Sequence, residues 1–141
     1  MPHAERTVTI QKPVAEVLAY LADAENDRAW RPSVLDIARE SGSGVGTRYR
    51  QGVKGPFGRR VPADIEITEL VPNERIAFRA LAGPVRPTGR YELSPAGEGT
   101  HVKLALDAET SGLKKLMAPM AQKAMTGEVA NLDELKRVLE A

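Results

Sequence analysis

Few side chains in this chain can do chemistry. It has two histidines and no cysteine, which excludes disulfides and thiolate metal sites. His3 lies at an end expected to be unordered, and His101 shares a strand face with Lys103. A histidine metal centre or a Ser-His-Asp triad therefore has almost no material, and both histidines are expected to face solvent. The glycines between Ser41 and Gly46 suggest a nucleotide loop, but a dinucleotide fingerprint must open a helix, and Thr47 to Gln51 alternates as a strand. Gly55 to Gly58 is likewise a turn.

What remains is Tyr49, Gln51 and Tyr91, the polar groups that alternation places on an otherwise apolar sheet face. There they would hydrogen-bond a ligand or, secondarily, move a proton. The competing expectation is buried polar groups satisfied by neighbours or water. Their clustering near one end of the sheet favours ligand contact. Arg39 and Glu69 are expected to point inward at the opposite end as a structural ion pair. Trp30 stays open between a ligand-stacking platform and a core plug.

The elements that position these residues follow from periodicity. Arg6 to Ile10 alternates and predicts a first strand with Val8 and Ile10 facing in. Pro13 opens a helix with Val14, Val17, Leu18 and Leu21 on one face, and a second short helix carries Trp30. Period-two segments then predict six strands, at 34–40, 45–54, 60–70, 75–83, 88–95 and 100–109. Turn residues separate them, including the run from Gly83 to Pro87, so consecutive strands are antiparallel. Centring each hairpin on its turn aligns Ile37, Tyr49, Ile65, Ala80, Tyr91 and Leu104 on one face. The other face gains a row of alternating charge: Arg48, Glu66, Arg79, Glu92 and Lys103. A second such row begins with Asp36, Arg50 and Asp64. Pro62 is expected to cause a bulge or a missing ladder bond.

After a short helix at 113–118, Pro119 opens a long amphipathic helix. Its stripe is Met117, Met120, Ala121, Ala124 and Met125 in the first half, and Val129, Leu132, Leu135 and Leu139 in the second. The chain is thus α+β: a curved seven-stranded antiparallel sheet wrapped around a C-terminal helix, with two short helices between the first two strands. With 141 residues it is expected to form a single domain, 1–141. A net charge of +1 gives no argument for nucleic acid as a partner. Neither a signal peptide nor a membrane-spanning run is expected, and the location is expected to be cytoplasmic.

Several stretches resemble the polyketide-cyclase/dehydrase-like branch of the START-related superfamily, also called SRPBCC. They are Pro13 to Asp23 followed by Trp30, Gly44 to Tyr49, Glu69 to Phe78, Gly89 to Leu93, and Ser111 to Leu113 at the approach to the last helix. The resemblance spans nearly the whole chain and implies a helix-grip fold. It implies no shared catalytic signature, so no catalytic residue, cofactor or metal is expected. The leading expectation is binding, transport or sequestration of a small hydrophobic or amphipathic molecule, such as a lipid, isoprenoid or polyketide-like aromatic. The alternatives are a polyketide aromatase/cyclase and a protein-interaction module of co-chaperone or ribosome-associated type.

The expected ligand contacts form two walls of small and adaptable side chains. The sheet contributes Tyr49, Gln51, Val53, Ala63, Ile65, Ala80, Ala82, Gly89, Tyr91, Leu104 and Leu106; Met117, Met120, Ala121 and Ala124 lie above them, with Trp30 beside. The opposite end, where Ile67, Phe78, Leu93 and Val102 meet Leu132, Leu135 and Leu139, is expected to be full. A basic rim is expected from Arg28, Arg31, Lys54, Arg59, Arg60, Arg86, Lys114 and Lys115, with Asp27, Asp107 and Glu109 among them. Such a rim would attract an acidic head group or make transient contact with an anionic membrane.

Overall fold

The computed structural model describes residues 2–83, 86–109 and 112–141. Its strands are β1 (His3–Ile10), β2 (Val34–Ser41), β3 (Arg48–Lys54), β4 (Arg60–Pro62), β5 (Ile65–Val71), β6 (Arg75–Ala80), β7 (Thr88–Ala96) and β8 (Gly99–Asp107). Between β1 and β2 lie α1 (Val14–Ala22) and a 3-10 segment, Ala24–Ala29. The chain ends in a 3-10 segment, Gly112–Met117, then α2 (Ala118–Ala130) and α3 (Leu132–Glu140). Pro84 and Val85 of the expected turn, Ser111 before the last helix and the side chain of Lys114 lie outside the described residues.

The sheet is antiparallel, in the order β1-β8-β7-β6-β5-β3-β2, with β4 paired to β3. The split of the expected 60–70 strand follows from Pro62, which ends β4. Beyond it the Asp64 carboxylate accepts from the Gln51 N–H at 3.1 Å, where a ladder carbonyl would otherwise serve. The C-terminal stripe also divides. Asn131 interrupts the α-helix, its N–H reaching back to the carbonyls of Glu128 and Val129. Pro119 falls in the first turn of α2, where its missing N–H costs nothing.

Up to a bulge after Ile67 the faces are as the alternation predicts, but two hairpins are displaced along the sheet. Tyr49 pairs with Ile65, Ile65 with Ala80, and Tyr91 with Leu104. Across β6–β7, however, Tyr91 faces Ile76 and Gly89 faces Phe78. Gly89 holds this register: a Cβ there would lie 2.4 Å from the Phe78 ring and 2.7 Å from Leu106. The aromatic ring thus occupies the space that a side chain at 89 would need. In β2–β3, Ile37 faces Gln51 and Arg39 faces Tyr49. Both shifts are even in residue number, so no side chain changes face.

The charged row is therefore interrupted. Glu66 sits between Arg48 and Arg79 at 3.1 and 2.7 Å, and Glu92 faces Lys103, but Arg79 faces Thr88. In the second row Asp36 binds Arg60 at 2.8 Å rather than facing Arg50. The expected Arg39–Glu69 pair does not form. A bulge between Ile67 and Glu69 turns Glu69 outward to Arg75 and brings Leu70 against the core. Arg39 lies exposed beside Asp23, its guanidinium 6.0 Å from the Tyr49 ring. His3 is ordered in β1, with its ring 2.6 Å from Asp107.

The core is solid at one end. Val8, Ile10, Val17, Leu93 and Val102 pack with Leu132 and Leu135, the last two fully buried. Ile67 and Phe78, expected here, line the cavity described below instead. The expected outcome for Gly89→Ala is a loss of about 1–2 kcal/mol, read from urea midpoints, with partial recovery when Phe78→Leu is added. Unchanged midpoints for Gly89→Ala would contradict this packing.

Candidate functional site

The alanines and flexible methionines of α2, with Ala80 on the sheet, leave a cavity of about 280 Å³ between the sheet and α2. The sheet wall is Ile65, Ile67, Ile76, Phe78, Ala80, Leu104 and Leu106. The helix wall is Met117, Met120, Ala121, Ala124 and Met125. Val53, Val61, Pro62 and Ala63 of the β3–β5 region join Ala82, Gly83 and Pro87 between β6 and β7 around the mouth. Met120 and Leu116 are exposed there, as is Phe57 at the tip of the β3–β4 hairpin.

Three of the residues expected at the site do not line this cavity. Trp30 is a core plug, 1% exposed and edge-on to Tyr91 at 6.4 Å between ring centres. Its indole N–H is buried and has no hydrogen-bond partner among the described residues. Tyr49 is 1% exposed and lies under the first 3-10 segment, where its hydroxyl is 3.4 Å from the Ala24 N–H. Gly89 is hidden behind the Phe78 ring that its lack of a side chain admits.

The opposite end of the cavity is polar. Helical rise puts Glu128 about 15 Å along α2 from Ala118. Arg31 donates from Nε to Glu128 at 2.9 Å, and from Nη1 to Asp27 and to the Gln51 side-chain oxygen at 3.0 Å each. Ser33 donates to the second oxygen of Glu128, and the Gln51 amide donates to the Ala63 carbonyl at 2.8 Å. Asp27, Arg31, Gln51, Tyr91 and Glu128 all border the cavity. Arg31 therefore belongs to a buried cluster and not to a basic rim. Arg60 is exposed but paired with Asp36, and Arg28, Lys54, Arg59, Arg86 and Lys115 are exposed as well.

This environment perturbs the acids and bases. Burial pushes the Asp27 carboxyl up to about 6, against the opposing pull of Arg31. Burial alone would lower the Arg31 guanidinium, but Glu128 and Asp27 outweigh it and keep it charged. Burial, and then Asp27, raise the Tyr91 hydroxyl well above its ordinary range.

Glu128 is the polar site residue that sequence reasoning missed, and Arg31 and Asp27, both expected at the rim, belong instead to the buried cluster. A signal existed: Glu128 stands on the apolar stripe, three residues after Met125 and four before Leu132. An acid in that position needs a partner from another element. Among the described residues, no group of three or more acids and histidines is arranged to hold a metal, and no helix is long and apolar enough to cross a membrane.

A family model described as polyketide cyclase/dehydrase and lipid transport matches residues 1–140. No curated protein matches the chain. Among solved structures, the protein TTHA0849 from Thermus thermophilus superposes with a TM-score of 0.81 at 24% identity, over 98% of this chain and 97% of that one. A START superfamily protein from Mycobacterium smegmatis gives 0.76 at 19% identity, over 98% and 97%. The Zhui aromatase/cyclase from Streptomyces sp. R1128 gives 0.74 at 22% identity, over 97% and 90%. At these identities the likeness is one of fold.

Asp27 carries a pH signature. Its carboxyl ionises near 3.8 unfolded and at about 6 folded, so the folded chain holds the extra proton in between. Stability then falls as pH rises through that window, by about 3 kcal/mol. Asp27→Asn lacks this titration, so its stability relative to wild type should rise by that order between about pH 3.5 and about pH 7. Denaturant titrations at the two pH values measure it, and a constant difference would contradict the burial of a charged Asp27.

Proposed function

Because this chain belongs to the polyketide cyclase/dehydrase and lipid-transport family, we propose that it binds a small hydrophobic or amphipathic molecule between its sheet and α2. The supporting observation is the cavity of about 280 Å³, walled by Ile, Leu, Ala and Met with polar groups gathered at one end. Apolar burial is non-directional, and methionines adapt to irregular guests, so such walls give affinity while the polar end gives orientation. Lys54, Arg59, Arg86 and Lys115, with exposed Phe57, Leu116 and Met120, suit brief contact with an anionic membrane during loading. Sedimentation with anionic vesicles, reduced by salt and by Phe57→Ser, tests that route.

A second reading is favoured by one observation. Asp27, with its proton held to about pH 6, borders the same cavity as the Tyr91 hydroxyl and the charged Arg31. Such a group is matched to proton transfer near neutrality, as an aromatase/cyclase would require. Turnover of a poly-β-ketone analogue, lost in Asp27→Asn, would select the enzyme.

Native mass spectrometry of the purified protein is expected to show a co-purifying apolar molecule that organic solvent extracts. Ala80→Phe places a ring in the cavity and should abolish its retention while the chain remains folded by circular dichroism. Retention unaffected by Ala80→Phe would move the ligand elsewhere, and an empty wild-type protein that also fails to take up apolar probes would remove the reading.

A further inference from the structure

The hydrogen-bond inventory at the polar end leaves donors over. A guanidinium has five N–H groups. Nε of Arg31 serves Glu128, and Nη1 serves Asp27 and Gln51. Among the described residues, none accepts from Nη2, and none pairs with the Tyr91 hydroxyl. Tyr91 is 6% exposed and Arg31 15% by its side chain, and both border the cavity. Donors in so enclosed a place cost free energy unless water or a guest supplies an acceptor.

Charge restricts which acceptor fits. Asp27 and Glu128 bring two carboxylates to one guanidinium, so near neutral pH the cluster already carries excess negative charge. A further carboxylate or phosphate at Nη2 would meet two anions in a poorly screened setting. An uncharged oxygen accepts the same hydrogen bonds without that repulsion. The exposed cations Lys54, Arg59, Arg86 and Lys115 do not line the cavity and stand outside it. The site is therefore polarised: anion-rich inside, cationic outside, apolar between.

We propose that the polar end recognises an uncharged oxygen of the ligand, a ketone or hydroxyl, through Arg31 Nη2 and the Tyr91 hydroxyl, and rejects acidic groups there. This rests on the cavity being a ligand site and adds the ligand's chemistry and orientation. The oxygen sits between Arg31 and Tyr91, and the apolar body lies along Ile65, Phe78 and Leu104 towards Met120. Tyr91 and Arg31 are the specificity-determining residues.

Three two-ring probes test this at pH 7.5: 2-acetylnaphthalene, its oxygen-free isostere 2-isopropenylnaphthalene, and 2-naphthoate. The ketone should bind about tenfold tighter than the alkene, since its oxygen gains bonds to a charged donor. The carboxylate should bind more weakly than the ketone. Tyr91→Phe should weaken the ketone about threefold or more and leave the alkene within about twofold. Arg31→Met should remove the ketone's advantage altogether, but it strands Asp27 and Glu128 and risks the fold, so Tyr91→Phe is the deciding variant. Equal affinity for ketone and alkene, or tightest binding of the carboxylate in a manner that depends on Arg31, would overturn the inference and leave the apolar cavity standing. Failure of all three probes to bind would remove the cavity reading and this inference with it.

Discussion

A buried guanidinium has to be surrounded by acceptors, and here the acceptors come from three separate parts of the chain. Arg31 follows the first 3-10 segment, whose Asp27 it binds; Gln51 belongs to β3, and Glu128 to α2. Satisfying one side chain therefore fixes where α2 lies over the sheet. The first half of α2 has one further polar tie, in which the Gln122 side chain accepts from the His3 N–H at 2.9 Å and donates to the His3 carbonyl at 2.7 Å, while its cavity-facing residues are mostly Met and Ala. Removing one partner of such a group typically costs about 3–5 kcal/mol, whereas a well-packed apolar replacement is often neutral or better. The polar tie is thus weak as a source of stability and strong as a constraint on position. It holds a helix at a distance from the sheet that close apolar packing would not maintain.

Beyond Asn131 the arrangement reverses. Leu132 and Leu135 are fully buried against Val102 and its neighbours, and the polar ties of α3, Arg6 to Asp133 and Lys136 to the Thr9 carbonyl, add to this apolar packing. The fold therefore combines a rigid, filled half with a half whose walls are small. The same gradient from Met and Ala to Leu along α2 and α3 produces both.

Most of the architecture was legible in the sequence, because periods of two and of about 3.6 report which face is buried. The displaced β6–β7 hairpin was not, because its register depends on a ring filling the space above Gly89, a cross-strand relation that turn-centring cannot detect. The misplaced Glu69 has the same kind of origin, a single bulge after Ile67. The apolar walls were legible too, since Ala63, Ala80, Ala82, Ala121 and Ala124 advertise missing volume. Trp30 and Tyr49 were harder: an aromatic residue looks alike in sequence whether it plugs a core or borders a cavity, and here Trp30 ends the first 3-10 segment against Tyr91 while Tyr49 meets that segment at Ala24. The polar cluster was the least legible part. Arg31 and Glu128 are 97 positions apart; the place of Glu128 on the apolar stripe signals that it needs a partner, but nothing local in the sequence says which.

The proposed function requires above all that the space between sheet and α2 receive a guest. Met117, Met120 and Met125 all border that space, so methyl-labelled methionine reports on it directly. Titration of methionine-methyl-labelled protein with 2-acetylnaphthalene, followed by NMR, should shift these three methyl resonances together along one saturating curve. Saturable binding that leaves all three unmoved, with changes confined to amides on the charged outer face of the sheet, would contradict the account.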